Sequence, residues 1–283
     1  QSRSSAASDV YKRQSVCKAV QESKPDFIFH LAAETHVDRS IDSPLLFLET
    51  NILGTFNILQ AALNYFQTLS TFKKNNFRFH HVSTDEVFGS LDKTGKFDEK
   101  TKYDPRSPYS ASKASSDHIV RAWFHSYKLP ILITNCSNNY GPYQFPEKLI
   151  PLSIIKALRG ESIPIYGNGE NIRDWIFVED HIDAILCVAK KGKVGQTYCI
   201  GGNCEKSNKE LINIVCELLD ELVPTANPYS NLIKYVEDRP GHDFRYAINS
   251  NFIKNEIGWE PKTNFIYGLK KTINSVSYTH LTL

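Results

Sequence analysis

The feature that most constrains the fold of this chain is a regular alternation of short apolar runs with longer stretches of helical spacing. The apolar runs lie at 27–33, 77–82, 131–135 and, more briefly, 197–200, and the helical stretches between them lie at 44–66 and 110–127. Apolar runs of this length are typical of strands covered on both faces, and intervening helices build βαβ units. The sequence therefore predicts an α/β fold with a doubly wound parallel sheet.

Composition narrows the classes of function. The 283 residues are 41% hydrophobic, enough for a sizeable core, and 33 basic residues against 31 acidic ones leave a formal charge of only +2. This balance gives no electrostatic footprint for nucleic acid or for an anionic membrane surface. No apolar run approaches the ~20 residues that span a bilayer, and no signal peptide is recognisable. We therefore expect a cytoplasmic protein that acts on a small molecule, with no nucleic-acid and no membrane partner.

The six cysteines point to neither disulfides nor metal. They form no C-x-x-C pair, and none stands at a zinc-like spacing from a histidine. This pattern predicts free thiols and no metal site.

Both ends of the chain look foreign to the rest. Residues 1–14 are rich in serine and show neither a helical nor a strand period, and hydrophobic patterning begins at about Val16, within a helix predicted over 15–23. Residues 275–283 have the same unrelated character and follow a helix that we expect to end near Ile273. The chain contains no methionine. We interpret both ends as non-native, and the chain as truncated at its N-terminus.

Three polar segments follow apolar strands. They are 32–36, 83–86 and 136–142. In parallel sheets ligands bind beyond the carboxyl ends of the strands, so these segments are where a site is expected. The later part of the chain is interrupted by proline and glycine and contains a helix at about 209–222, which predicts a smaller substrate-binding region.

Tyr109 and Lys113 are a candidate catalytic pair. Residues four apart lie on one face of a helix, where the ammonium can stabilise a phenolate. Phenol has a pKa near ~10, so a tyrosine base needs about three units of depression to work at neutral pH. The spacing alone is weak evidence, because Tyr267 and Lys271 repeat it on a later helix, where a surface pair is the expected interpretation.

Asp85 and Glu86 directly follow a predicted strand, and Thr84 adds a hydroxyl. Two adjacent carboxyl groups can divide into an acid and a base if their environments differ. A turn or helix-capping role is the alternative for such a triplet. Arg173 and Arg239 suit phosphate groups, although surface ion pairs are the commoner use of arginine. His36 and His242 are ambiguous by themselves.

Six segments together carry a resemblance. They are His30–Ser40, Ser83–Gly89, Ser107–Lys113, Asn138–Pro151, Gly167–Trp175 and Asp238–Asp243. In this order they strongly resemble the dTDP-glucose 4,6-dehydratases, which belong to the extended short-chain dehydrogenases. The resemblance runs from about Ser15 to Ile273. It implies a Rossmann-like NAD-binding domain at 15–140 and 172–202, and a nucleotide-sugar-binding region at 141–171 and 203–274.

The resemblance also implies a reaction. Tyr109 would take the proton of the sugar's 4-hydroxyl while NAD accepts a hydride, and Lys113 would lower the pKa of the tyrosine. Glu86 would then remove the C5 proton, Asp85 would protonate the departing 6-hydroxyl, and Thr84 would hydrogen-bond the 4-oxygen. The product implied is dTDP-4-dehydro-6-deoxy-glucose, with NAD regenerated.

Binding residues are implied in the same way. For the cofactor they are Leu31, Ala32, Ala33, Glu34, Thr35, Thr50, Ser83, Tyr109, Lys113 and Asn139. For the nucleotide sugar they are Thr35, Thr84, Asn138, Lys148, Leu149, Pro164, Ile165, Tyr166, Arg173, Asn208, Asp238, Arg239, Pro240, Gly241 and His242. Members of the family are usually homodimers, joined through the helices that correspond here to 44–66 and 110–127.

One departure from the family is large. The Gly-rich turn that holds the cofactor's diphosphate, and the strand before it, are not found in this sequence. We therefore expect a sheet whose first strands are missing, an incomplete NAD site and low or no activity. Two alternatives stay open: an NAD-dependent nucleotide-sugar 4-epimerase or decarboxylase, and a non-catalytic nucleotide-sugar-binding protein.

Overall fold

A computed structural model describes residues 2–281, with the side chains of residues 13–279. The α-helices are α1 Ser2–Ser23, α2 Val37–Asp42, α3 Pro44–Phe47, α4 Gly54–Thr68, α5 Thr71–Asn76, α6 Pro108–Tyr127, α7 Leu149–Leu158, α8 Val178–Lys191, α9 Asn208–Leu222, α10 Asn251–Ile257 and α11 Phe265–Leu281. The strands are β1 Phe27–His30, β2 Arg78–Thr84, β3 Ile131–Cys136, β4 Asn138–Tyr140, β5 Ile163–Tyr166, β6 Ile172–Phe177, β7 Thr197–Ile200, β8 Glu205–Ser207 and β9 Ile233–Val236. A π-helical segment spans Leu48–Leu53, and 3₁₀ turns span Asp85–Phe88 and Tyr229–Leu232.

The chain divides into two compact units. The first comprises Gln1–Phe88, Lys102–Asn135 and Leu186–Tyr198, and the second comprises Gly89–Thr101, Cys136–Ile185 and Cys199–Leu283. This division does not decide which part binds a cofactor and which binds a sugar, so the predicted domain roles stay predictions.

The first unit is built on the predicted sheet, whose strand order is β1-β2-β3-β7. β1 and β2 run parallel, from the pair Phe27 and Arg78 to the pair His30 and His81. Apolar side chains of these strands pack with those of α1, α4 and α6 into one core that includes Leu59, Phe79 and Ile133. Burial of such side chains contributes about 1.5–3 kcal/mol each. The prediction of an α/β fold with a parallel sheet is confirmed.

The second unit has its own core beneath two smaller sheets. One sheet has the order β4-β6-β8, and the other pairs β5 with β9 in parallel. Ile154, Ile163 and Leu219 belong to the core, to which α7, α9 and α11 contribute. Gly202 shows how tight the packing is, because a Cβ there would lie 1.9 Å from the carbonyl oxygen of Trp175.

The stretch predicted as one helix over 44–66 is three consecutive segments, α3, the π-helical segment and α4. Asn51 lies in the π-helical segment and is buried. Its carbonyl accepts hydrogen bonds from the hydroxyls of Thr55 (2.5 Å) and Ser116 (2.6 Å). Side chains therefore supply partners for a carbonyl in the stretch where the regular α-helical pattern is interrupted.

Other element bounds differ from the prediction. β1 ends at His30, not Ala33, because the main chain of Glu34 pairs with the side chain of Asn51 instead of a neighbouring strand. The first helix begins at Ser2 rather than near Ser15, since no proline or glycine stops it between them. The last helix continues past Ile273 to Leu281, and Val276 packs in the core of the second unit. The predicted non-native character of Gln1 and of 282–283 concerns positions outside the described residues.

Among the helices of the described residues, none combines the length and the apolar content that crossing a membrane requires. The six cysteines are free thiols. Within the same residues, no cluster of three or more His, Cys, Asp and Glu side chains is placed to hold a metal ion.

Candidate active site

The triplet Thr84, Asp85 and Glu86 lies where β2 ends and turns into the 3₁₀ segment. Thr84 and Asp85 are buried, and Glu86 is half-buried. The Thr84 hydroxyl is 3.3 Å from Asp85 Oδ1 and accepts a hydrogen bond from the Glu86 N–H at 3.3 Å. The Thr84 hydroxyl therefore organises the turn, in line with the turn or capping role considered from the sequence. Asp85 is buried and Glu86 is half-buried, so the two carboxyl groups occupy different environments, as an acid and base pair requires.

Helix α6 places Tyr109 and Lys113 on one buried face. It begins with a capping box between Ser107 and Ser110, with Pro108 at its first position. The Lys113 ammonium donates to the carbonyl of Val82 at 2.9 Å, two residues before Thr84. Because α6 packs against β2 and the 3₁₀ turn, the structure brings all five predicted catalytic residues into one unit.

The second Tyr-x-x-x-Lys pair is a surface feature, as expected. Tyr267 is exposed, and the Lys271 ammonium lies 5.1 Å from the centre of its ring. Lys271 also pairs with Glu179 at 3.4 Å. Burial therefore separates the two pairs, which spacing could not do.

The predicted cofactor loop leaves β1 and is fixed by Asn51. The Asn51 amide accepts from the Glu34 N–H at 2.9 Å and donates to the Glu34 carbonyl at 3.0 Å. It also donates to Ser112 Oγ at 2.8 Å, which ties the loop to α6. Leu31, Ala32, Ala33 and Thr35 flank this contact along the chain, Thr50 precedes Asn51, and Ser83 is buried at the end of β2.

These residues fit part of a dinucleotide. Hydroxyls, an ammonium and fixed main-chain groups at strand ends suit the hydroxyls and amide of a nicotinamide riboside. The sequence has no glycine before Gly54, so it offers no Gly-rich turn for the diphosphate before β1. The donor set therefore fits the nicotinamide half of NAD.

Three ionisable side chains of the first unit, His30, His81 and Asp117, are buried. Burial, with the Lys113 charge, lowers the pKa of His81 to about 4, and burial with His81 and Lys113 lowers that of His30 to about 3. Burial alone would raise the pKa of Asp117, but His81, Lys113 and Tyr103 outweigh it and hold that pKa below its ordinary value. The histidines are therefore neutral and Asp117 is charged at neutral pH.

Asn138 and Asn139 follow β3 in the second unit. Asn139 donates through its amide to the Ser137 carbonyl (3.1 Å) and to Cys136 Sγ (3.4 Å). Its Oδ1 lies 2.8 Å from Nδ1 of His181, whose pKa burial lowers to about 4. Asn139 is thus held on both sides of its amide. Asn138 Oδ1 is buried without a hydrogen-bond partner among the described residues, as a ligand-binding atom would be.

Parallel pairing of β5 and β9 brings two predicted sugar-nucleotide segments together. Tyr166 ends β5 opposite Val236, and the loop 238–242 follows β9. His242 Nδ1 is 2.7 Å from Asp238 Oδ1, and the rings of His242 and Tyr166 meet edge to face at 6.5 Å. Burial and Arg239 lower the pKa of His242 to about 4.

Arg173 is buried and committed to main-chain carbonyls. Its guanidinium donates to the carbonyls of Ile172 (2.7 Å), Asp243 (3.0 Å) and Phe244 (3.4 Å), and it lies 4.2 Å from the ring centre of Tyr246. Arg173 is 5% exposed, so its side chain does not lie at the surface, as the alternative considered from the sequence would require. Its predicted role toward a diphosphate stays a prediction.

The remaining sugar-nucleotide residues begin or flank elements of the second unit. Asn208 starts α9 with a buried Oδ1 that has no hydrogen-bond partner among the described residues. Its side-chain oxygen suits recognition of a polar ligand. Lys148 and Leu149 start α7, Pro164 and Ile165 lie in β5, and Arg239, Pro240 and Gly241 lie in the loop after β9.

Several residues escaped the sequence analysis. His36, left ambiguous there, caps α2 by accepting from the Arg39 N–H at 3.3 Å. The sequence analysis missed Asn51, His81, Asp117, Asn135 and His181. A polar residue inside an apolar run, such as His81 or Asn135, signals a buried side chain that needs a hydrogen-bond partner.

Known proteins resemble this chain over most of its length. The family model described as GDP-mannose 4,6 dehydratase matches residues 4–272. The dTDP-glucose 4,6-dehydratase of Salmonella typhimurium is 53% identical over 274 residues, which cover 94% of this chain and 76% of that protein. The dTDP-glucose 4,6-dehydratase DesIV of Streptomyces venezuelae, solved with NAD bound, is 40% identical, with a TM-score of 0.85 and coverage of 95% of this chain and 78% of that one.

An epimerase is similar at a greater distance. The UDP-glucose 4-epimerase of Thermotoga maritima is 25% identical, with a TM-score of 0.82 and coverage of 94% of this chain and 82% of that one. The fold is therefore common to both activities, whereas sequence identity separates them. This chain belongs to the dTDP-glucose 4,6-dehydratase family.

Proposed function

We propose that this chain converts dTDP-glucose to dTDP-4-dehydro-6-deoxy-glucose and water. The observation that carries the proposal is the placement of Asp85 and Glu86, at the end of β2, against the helix that presents Tyr109 and Lys113. Besides a hydride acceptor, an oxidation at C4 needs only the tyrosine and lysine of the protein. The adjacent acid and base are what a subsequent loss of water requires.

In the first step Tyr109 takes the proton of the 4-hydroxyl. The nearby Lys113 ammonium favours the phenolate form of that tyrosine. NAD, held by the cofactor-binding residues named above, would supply the hydride acceptor for C4 and the hydride donor for C6. The resulting 4-keto group acidifies the proton at C5.

Elimination follows at C5 and C6. Glu86 removes the C5 proton, and Asp85 protonates the 6-hydroxyl as the bond from C6 to oxygen breaks, so that water leaves. Thr84 donates a hydrogen bond to the 4-oxygen. As hydride returns to C6, Glu86 gives C5 a proton that has exchanged with solvent. Tyr109 releases the proton taken from the 4-hydroxyl to solvent and Asp85 takes one up from solvent, so all three groups regain their starting states.

Recognition of the substrate is assigned to the second unit. Arg173 and Arg239 would meet the diphosphate, because the planar guanidinium matches its oxygens. Tyr166 would lie against the base. Asn138 Oδ1 and Asn208 Oδ1 have no hydrogen-bond partner within the part of the chain that the structure describes, which supports a polar ligand at those positions.

A homodimer in the cytoplasm is part of the proposal. Leu45, Leu46, Leu48 and Leu53 are exposed on the segment 44–66, which the family resemblance assigns to the dimer interface. Burying such side chains between two copies is favourable. Free thiols agree with a reducing compartment.

Replacing Glu86 by Gln tests the proposal against an epimerase. The variant keeps C4 oxidation and loses dehydration, so reduced nicotinamide absorbance appears on mixing with dTDP-glucose and no 4-keto product follows. The matched control is Glu217→Gln on the surface of α9. Because we predict reduced activity, the assay contains added NAD, and the protein concentration is close to that of dTDP-glucose so that a single turnover can be detected. Unchanged turnover in Glu86→Gln would favour the epimerase.

A further inference from the structure

A buried polar pair lies behind the acid and base segment, and the mechanism above does not use it. Asn135, near the end of β3, and Asp117, on α6, are both fully buried. The Asn135 amide donates to the carbonyl of Thr84 at 3.0 Å and to Asp117 Oδ2 at 3.3 Å. One side chain therefore joins the last residue of β2 to the catalytic helix.

Asp117 is held from several sides. Its Oδ2 accepts a hydrogen bond from the Tyr103 hydroxyl at 2.7 Å, and its Oδ1 lies 3.1 Å from His81 Nε2. Arg121, one turn later on α6, donates to the same Tyr103 hydroxyl at 2.8 Å. A carboxylate fixed in this way is a rigid acceptor for Asn135.

Asn135 is costly for the fold. Its Oδ1 is buried and has no hydrogen-bond partner among the described residues. Leaving an acceptor unsatisfied in the interior is unfavourable. The same side chain also donates to two buried acceptors, the Thr84 carbonyl and Asp117 Oδ2. Besides these contacts, its N–H fixes the direction of one particular carbonyl.

That carbonyl belongs to Thr84. The peptide group after it leads directly into Asp85 and Glu86, so its orientation decides where both carboxyl groups leave the strand. We propose that Asn135, held by Asp117, is a positioning residue for the Thr84–Glu86 segment. The inference rests on the proposed function, and neither side chain touches the reacting atoms.

The oxidation machinery is anchored separately. Lys113 holds the Val82 carbonyl, and Tyr109 and Lys113 belong to α6, whose first turn has its own capping box. Loss of the Asn135 contact should therefore slow elimination more than C4 oxidation. A displacement of about 1 Å at a reacting group costs on the order of 10²-fold in rate, and we expect an effect of that size on elimination.

The test compares Asn135→Leu with Thr134→Val. Thr134 is the neighbouring buried residue on β3, and its hydroxyl lies 3.1 Å from His80 Nε2, so this control removes a buried polar contact on the same strand. Two readouts are measured on the full chain. Hydrogen exchange follows the amides of residues 85–88 without ligand, and stopped-flow absorbance follows reduced nicotinamide after mixing with NAD and dTDP-glucose.

In Asn135→Leu we expect at least tenfold faster exchange at residues 85–88 and accumulation of reduced nicotinamide, because oxidation outruns elimination. Thr134→Val should change neither. If Asn135→Leu does not fold, Asp117→Asn carries the same test with a smaller expected effect. Unchanged exchange, or an equal slowing of both steps, would overturn the proposal. If the unaltered chain makes no product, the proposed function fails, while the exchange measurement still decides the role of Asn135.

Discussion

Side-chain donors bind main-chain carbonyls in both units, but these contacts serve different ends. In the first unit, side chains hold the main chain: Lys113 binds the Val82 carbonyl, Asn135 the Thr84 carbonyl and Asn51 both polar groups of Glu34. In the second unit, the functional side chains are themselves held, as Arg173 is by three carbonyls. Under the proposed function, the first unit would fix where chemistry occurs, and the second would fix the shape of a binding surface.

Replacing Tyr109 by Phe should have the largest effect. Loss of a general base costs about 10²–10⁴-fold in rate, and no reduced nicotinamide should form. Tyr267→Phe is the matched control, because it removes the same hydroxyl from the second Tyr-x-x-x-Lys pair. Equal losses in both variants, measured by stopped-flow absorbance, would remove the distinction between a buried catalytic pair and a surface pair.

Arg173→Lys should act mainly on stability. The single lysine nitrogen cannot replace the two guanidinium nitrogens that donate to these carbonyls, and unpaired buried carbonyls cost about 2–4 kcal/mol in the free energy of unfolding. Urea denaturation of this variant and of the exposed control Arg159→Lys measures the difference. An unchanged unfolding free energy with weakened nucleotide binding would show that Arg173 serves the ligand and not the loop.

Lowering the pH from 7 to 5 should destabilise both units. The folded-state pKa values of His30, His81, His181 and His242 lie near 3–4, below the value of 6.5 for an unfolded histidine. Their stabilising contribution is complete above pH 6.5 and is lost as the pH falls toward 4. Each fully buried histidine contributes up to about 2 kcal/mol over this interval. A free energy of unfolding that stays constant from pH 7 to 5 would contradict the neutral state of these side chains.

Asp238→Asn should have the smallest effect and should fall on binding. It weakens the contact with His242 that shapes the loop after β9, and we expect about tenfold weaker binding of dTDP-glucose, or about 1.4 kcal/mol. The rate of C4 oxidation at saturation should stay the same. Calorimetric titration, with the exposed control Glu237→Gln, measures the affinity. A loss of oxidation rate without a loss of affinity would contradict a role of Asp238 in binding.

Strands β2 and β3 and helix α6 could be predicted from the sequence, because each has a local signal, whereas the catalytic roles of the residues they carry stay a prediction. Apolar runs predicted β2 and β3. Helical spacing marked Tyr109 and Lys113 as a pair, and the segments that carry the family resemblance distinguished this pair from Tyr267 and Lys271. A polar residue inside an apolar run could mark Asn51 and Asn135 as buried. Their partners could not be predicted, because they lie far along the chain and hydrogen bonds between distant residues leave no period. The π-helical segment was missed for the same reason, and the helix ends at Ser2 and Leu281 were missed because composition, not propensity, had set the predicted bounds.

The central claim is that this chain removes water from a hexose while regenerating its cofactor. Mass spectrometry of the sugar nucleotide after incubation with dTDP-glucose and NAD in D₂O tests it most directly. The account predicts a product lighter by one water and carrying one deuteron at C5, absent with Tyr109→Phe. A product of unchanged mass, or no more product than Tyr109→Phe gives, would contradict it.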